Sequence, residues 1–85
     1  MANYRLQIKP WAVKELETLP LKDRRRVVSR IQKLAADPRP PGCEKLSGEE
    51  LYRVRQGNCR ILYSVQDTDL VVIVIRIGHR REVYR

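Results

Sequence analysis

The sequence predicts an α+β domain: one strand, an antiparallel helix hairpin and three more strands, with the helices on one face of a mostly antiparallel four-stranded sheet. Three observations predict it. Apolar residues recur at three- and four-residue spacing between positions 10 and 35, short alternating or continuous apolar runs occupy the rest, and a proline-rich stretch divides the two regimes. With 85 residues the chain is read as one domain spanning 1–85, with a single small core.

Residues 3–8 alternate polar and apolar, which puts Tyr4, Leu6 and Ile8 on one side of a half-buried strand that Pro10 stops. Pro10 suits the first turn of a helix, where its missing N–H is not needed. Ala12, Leu16 and Leu19 then share a helical face, and Trp11 and Val13 are expected to widen it. After the short break Leu19-Pro20-Leu21, a second helix is carried by Val27, Val28, Ile31, Leu34 and Ala35, and so tight a connection implies a hairpin. Residues 37–42 hold three prolines and a glycine and read as a linker, which leads through Lys45-Leu46-Ser47-Gly48 into the strands.

Segments 51–55 and 59–65 flank Gln56-Gly57-Asn58, a turn signal between two alternating runs. Asp67-Thr68-Asp69 then precedes 70–75, apolar at every position, which reads as a central strand covered on both faces.

Eighteen Lys and Arg stand against ten Asp and Glu, for a net charge of +8 and a pI near 10.1. Such a surface attracts polyanions, so nucleic acid or an acidic protein is the expected partner. The basic side chains concentrate in 22–33, 53–60 and 76–85. Cys43 and Cys59 lack metal-ligand spacing, so neither a metal nor a cofactor is expected. No secretory signal or membrane-length apolar run is present, and a reducing cytoplasmic compartment fits better than a disulfide between the two thiols.

Arg24, Arg25, Arg26, Arg30 and Lys33 decorate the second helix, where helical spacing favours a solvated face over a binding groove. The strands are more informative. Alternation puts Arg53 and Arg55 on one face and Tyr52 and Val54 on the other. A two-residue Gly57-Asn58 loop would set Arg55 opposite Arg60 and Arg53 opposite Leu62, with Tyr52 meeting Tyr63 and Val54 meeting Ile61. Like charges facing each other across a ladder cost a few tenths to about 1 kcal/mol, so an anion is the natural resolution, and guanidinium forks match phosphate oxygens in pairs. The tail adds Arg76, His79, Arg80, Arg81 and Tyr84, with Gly78 expected to permit a close turn.

Helix hairpin, Leu-Ser-Gly, Tyr-Arg-Val-Arg, Cys-Arg-Ile-Leu-Tyr, Val-Val-Ile-Val-Ile and Gly-His-Arg-Arg-Glu-Val-Tyr follow one another in an order and spacing that strongly resembles the RelE-type ribonuclease toxins of the RelE/ParE superfamily. The resemblance covers nearly the whole chain. It implies a compact toxin that enters the ribosomal A site, cuts messenger RNA without a metal, and is held inactive by an acidic RelB-like antitoxin, the pair joining a transcription-repressing DNA complex. Carried over by position, Arg53, Arg55, Arg60, Arg80 and Tyr84 match the family's catalytic set. His79 and Arg81 are candidates for RNA contact or proton transfer.

That reaction is attack of a ribose 2′-OH on the adjacent phosphate, which needs a base, positive charge on the developing phosphorane and a proton for the leaving oxygen. Arg60 and Arg80 fit the second role. Some relatives carry lysine where Arg53 and Arg55 stand; arginine does not give up its proton, so these two read as phosphate clamps, leaving proton transfer to Tyr84 or His79. Two other readings share the scaffold and charge: a ParE-like toxin that poisons DNA gyrase by protein contacts, and a nucleic-acid-binding module without turnover.

Overall fold

The computed structural model describes residues 3–46 and 50–79. The chain runs β1 (Arg5–Ile8), α1 (Pro10–Glu17), α2 (Leu21–Ala36), β2 (Glu44–Lys45), β3 (Leu51–Gln56), β4 (Cys59–Gln66) and β5 (Val71–His79). The strands form one five-stranded sheet in the order β1-β5-β4-β3-β2, parallel between β1 and β5 and antiparallel elsewhere. The α+β class and the helix pair agree with the sequence reading. The strand beyond the expected four is β2, too short to carry any period of its own.

Both helices serve the core. Pro10 occupies the first turn of α1, and the helix ends as Thr18 and Leu19 bond back to the carbonyls of Glu15 and Leu16 in a tightened last turn. Arg24 of α2 donates through Nη2 to the carbonyls of Glu17 and Leu19, at 3.0 and 3.3 Å, and so satisfies the end of α1 from the next helix. Ala12 from α1, Leu19 from the connection that follows it and Val27, Ile31 and Leu34 from α2 pack on Val54, Ile61, Tyr63, Val65, Val72, Val74 and Ile77 of the sheet. Trp11 and Val13 do not widen the buried face of α1. They are 61% and 36% exposed, because each lies about 100° around the helix from Ala12, and one narrow stripe fills the contact.

β5 departs from its reading in three ways. Leu70 falls outside it, in the turn before the strand, with a positive φ of 56° that a leucine rarely adopts. The strand lies inside the sheet, but only its helix-facing side is covered by a layer; Ile73 and Ile75 on the rest are half-buried. Finally, the register with β4 jumps between Leu62 and Tyr63, which pair with Arg76 and Val74, so Ile75 is an extra residue in a β-bulge. The bulge switches phase: Val72 and Val74 face the core before it and Ile77 after it, and Arg76 and Gly78 are left on the open face. Gly78 lies within the strand and forms no turn.

Past Ile8, β1 no longer covers the edge of β5. Glu15 of α1 takes over, accepting the Ile77 N–H at 2.8 Å and the Arg76 guanidinium at 2.9 to 3.2 Å. At the other end of the sheet, Asp67 accepts from Tyr4 Oη at 2.8 Å and from both terminal nitrogens of Arg39. Arg39 also lies over the Tyr52 ring, which stacks on Tyr63.

Tyr63 is fully buried; burial pushes its phenol well above the usual range, and its hydroxyl donates to the carbonyl of Pro38 at 2.6 Å. This bond ties the proline linker to the sheet. Tyr63→Phe removes the donor and leaves a buried carbonyl unpaired, with an expected loss of about 1–3 kcal/mol in urea unfolding at unchanged slope. An unaltered midpoint would show that the linker is held by other contacts.

Candidate functional site

The β3–β4 hairpin builds the candidate site. Gln56 pairs with Cys59, leaving Gly57 and Asn58 as a two-residue loop, and Gly57 has a φ of +60°. A positive φ at the first loop position fits the hairpin turn that follows sheet twist, and glycine adopts it without the Cβ clash. The register is then Arg55 with Arg60, Val54 with Ile61, Arg53 with Leu62 and Tyr52 with Tyr63, as the sequence reading expects. Every core residue of the two strands faces the helices, and Arg53, Arg55 and Arg60 share the opposite, open face.

Two lateral rows cross that face. One runs Glu44, Arg53, Leu62, Arg76; the next runs Arg55, Arg60, Gly78. Arg55 is exposed, whereas Arg53 and Arg60 are half-buried. Gly78 pairs with Arg60 across β4 and β5 and carries no side chain on that face. Arg76 shares the face but is engaged by Glu15 at the sheet edge.

Glu44 is the member that the sequence reading missed. Its Oε1 accepts from Arg53 Nε at 2.9 Å and from Arg53 Nη2, and it is the only carboxylate in these rows. Arg53 holds the Glu44 carboxyl below the usual range, first by this hydrogen bond and then by charge, with Arg55 and Arg60 adding to the field. The pair's stabilisation is therefore fully present above the ordinary value of 4.5 and is lost as pH falls through the lowered folded value. A single Glu in a two-residue strand has no periodic signal; an acidic residue facing the basic strand would be the only clue.

His79 does not join the arginines. It pairs with Cys59, one position out of phase with Arg60 and Gly78, and lines a cleft of about 300 Å³ with Glu15, Thr18, Leu19, Pro20, Ile77 and Gly78. Arg80, Arg81 and Tyr84 lie outside the described residues, as do Ser47 and Gly48. Among the described residues, no group of three or more His, Cys, Asp or Glu is placed to hold a metal, and no helix is long and apolar enough to cross a membrane.

Chemically, the open face offers fixed cations with guanidinium forks, with Arg53 engaged by Glu44 and Arg76 by Glu15. Guanidinium forks match the oxygens of a phosphate in pairs. Two helices on a five-stranded mixed sheet, with this face left open, define a RelE-like fold. The family model described as the ParE toxin of type II toxin-antitoxin systems, parDE, matches residues 6–84, and the chain belongs to that family within the RelE/ParE superfamily.

Its relatives agree. A curated toxin RelE1 from Methanocaldococcus jannaschii is 29% identical, over 98% of this chain and 97% of its own length. The crystal structure of the archaeal RelE–RelB complex from Pyrococcus horikoshii matches with a TM-score of 0.84 and 32% identity, covering 95% of this chain and 99% of that one. The isolated E. coli RelE toxin matches at 0.81 with 27% identity, covering 93% and 86%.

Glu44→Gln should release the Arg53 fork for an external anion, raising affinity for a short single-stranded phosphodiester oligomer by about fivefold at low salt, close to the top of the range for an exposed ion pair. Titration by fluorescence anisotropy checks it. Unchanged or weaker binding would mean that Glu44 holds Arg53 in its binding pose.

Proposed function

We propose that this chain is the toxin of a type II toxin-antitoxin pair and acts as a ribosome-dependent endoribonuclease that cuts messenger RNA in the A site. The observation that carries this reading is the convergence of Arg53, Arg55 and Arg60 on one open sheet face, reached by a register that the turn and the core pairs hold together. Kinship to RelE toxins supports it.

The reaction consistent with these groups is an in-line attack of a ribose 2′-OH on its own 3′ phosphate, giving a cyclic phosphate and a free 5′ hydroxyl. Arg53 and Arg55 clamp the backbone, Glu44 yielding Arg53 to the incoming phosphate. Arg60, between Arg55 and Gly78, stabilises the charge that builds on the phosphorane, with Arg80 as its proposed second donor. Tyr84 is the proposed proton carrier. His79, on the helix-facing side, is better suited to an RNA or protein contact than to the proton transfer. No metal or other cofactor enters this scheme.

An acidic RelB-like antitoxin is the proposed partner that neutralises the basic face, in a pair that also binds DNA to repress its own transcription; the P. horikoshii relative was solved as a complex with RelB. The cytoplasm, with ribosomes and messenger, is the proposed compartment. The family match to ParE favours a second reading, a toxin that poisons DNA gyrase by protein contacts, for which the arginine cluster would be dispensable.

Primer extension on a defined messenger in a translation extract separates the two. Wild type is expected to cut within the A-site codon only when ribosomes are present. Arg60→Ala and Arg80→Ala should each slow cleavage by about 10²–10³ while remaining folded, and Tyr84→Phe should slow it through lost proton transfer. No cleavage by wild type, with binding to gyrase and an SOS response instead, would overturn the ribonuclease reading.

A further inference from the structure

A second cationic surface lies on the outer side of α2, where Arg25, Arg26, Ser29, Arg30, Lys33 and, from the end of β3, Gln56 line a cleft of about 250 Å³. The sequence favours a solvated helical face for these charges, and Arg25, Arg26 and Lys33 are exposed, but with the half-buried Arg30 they also border one concavity beside Gln56. Arg24 is drawn off to cap α1, and the other four cations remain around one concavity.

Three features mark this cleft as an anion site. The ion pairs among the described residues involve Arg39, Lys45, Arg53 and Arg76, so Arg25, Arg26, Arg30 and Lys33 stand without a carboxylate. Arg30, which lines the cleft, has its Nε–H buried with no hydrogen-bond partner, a group that gains from an added acceptor. Finally, every residue that lines the cleft is cationic or polar, and the apolar surface between their heads belongs to side-chain stems. An amphipathic helix or an added strand would need an apolar floor, whereas a phosphodiester backbone needs only charge and donors.

Its position is equally specific. Gln56 lines the cleft while its neighbour Arg55 points to the opposite face, so the tip of the β3–β4 hairpin is a ridge between two basic surfaces. From Arg26 to Lys33 the helix advances about 10 Å, long enough to meet two or three successive phosphates. We propose that the α2 cleft is a second RNA-backbone site, which holds a strand across the hairpin from the one taken by the arginine face. It is read from its own residues and does not depend on whether the opposite face cleaves.

The test is anisotropy of a short fluorescein-labelled RNA duplex across a salt series, with no ribosome and no turnover. Arg26→Gln with Lys33→Gln changes two exposed side chains and leaves the core untouched, and a thermal melt confirms folding. Lys9→Gln, just before α1, with Lys14→Gln on that helix removes the same charge elsewhere. The α2 pair is expected to lower the slope of log affinity against log salt by about two and to weaken binding about tenfold or more at low salt, the α1 pair far less. Equal effects from both pairs, or no effect from the α2 pair, would overturn the proposal. So would loss of labelled poly-L-glutamate binding with RNA binding intact, which would make the cleft a protein interface. A chain that cuts no messenger would still show the slope difference.

Discussion

The chemistry of the open face depends on the two-residue connection between Gln56 and Cys59. Because paired side chains share a face, slipping that hairpin by one residue would set Arg60 against Val54, or Arg53 and Arg55 against Tyr63 and Ile61, so that arginines and core residues could no longer be kept on separate faces. Gly57, with its positive φ, and the core pairs Val54 with Ile61 and Tyr52 with Tyr63 hold the register from opposite ends. The hydrophobic core thus selects the one pairing that brings like charges together, and packing carries the cost of their repulsion.

A second device acts on β5. The bulge at Ile75 lets one strand satisfy two demands: a continuous apolar run against β1 and β4, then Ile77 inward with Gly78 beside Arg60. Glu15 closes the edge that β1 leaves uncovered, and by holding Arg76 it keeps a fourth guanidinium occupied at the rim of the arginine face. Glu44 plays the matching part at the other rim, on Arg53. Two carboxylates from outside the hairpin thereby engage an arginine at each rim of the face.

Much of this was legible before any coordinates, and the limits have physical causes. The helices, the hairpin and its full register follow from period and turn chemistry, because each is a local property repeated over several residues. β2 was not legible, since two residues cannot show alternation, and Glu44 went with it. The bulge was hidden because 70–75 is apolar at every position, so the change of face leaves no mark in polarity. The side on which His79 falls depends on that bulge. The concavity on α2 was not legible for another reason: helical spacing gives the arc of the charges but not that Gln56, at the end of β3, lies beside them.

The protein is then a small core with charge placed on both sides of one hairpin, and its central claim is that Arg55 and Arg60 form part of a single phosphate site. A double-mutant cycle on the rate of A-site messenger cleavage tests this most directly, using Arg55→Gln, Arg60→Gln and the pair. One shared site predicts strong coupling, above about 1 kcal/mol, with the double variant hardly worse than the weaker single. Losses that simply add, within the roughly 0.3–0.5 kcal/mol typical of independent positions, would contradict it.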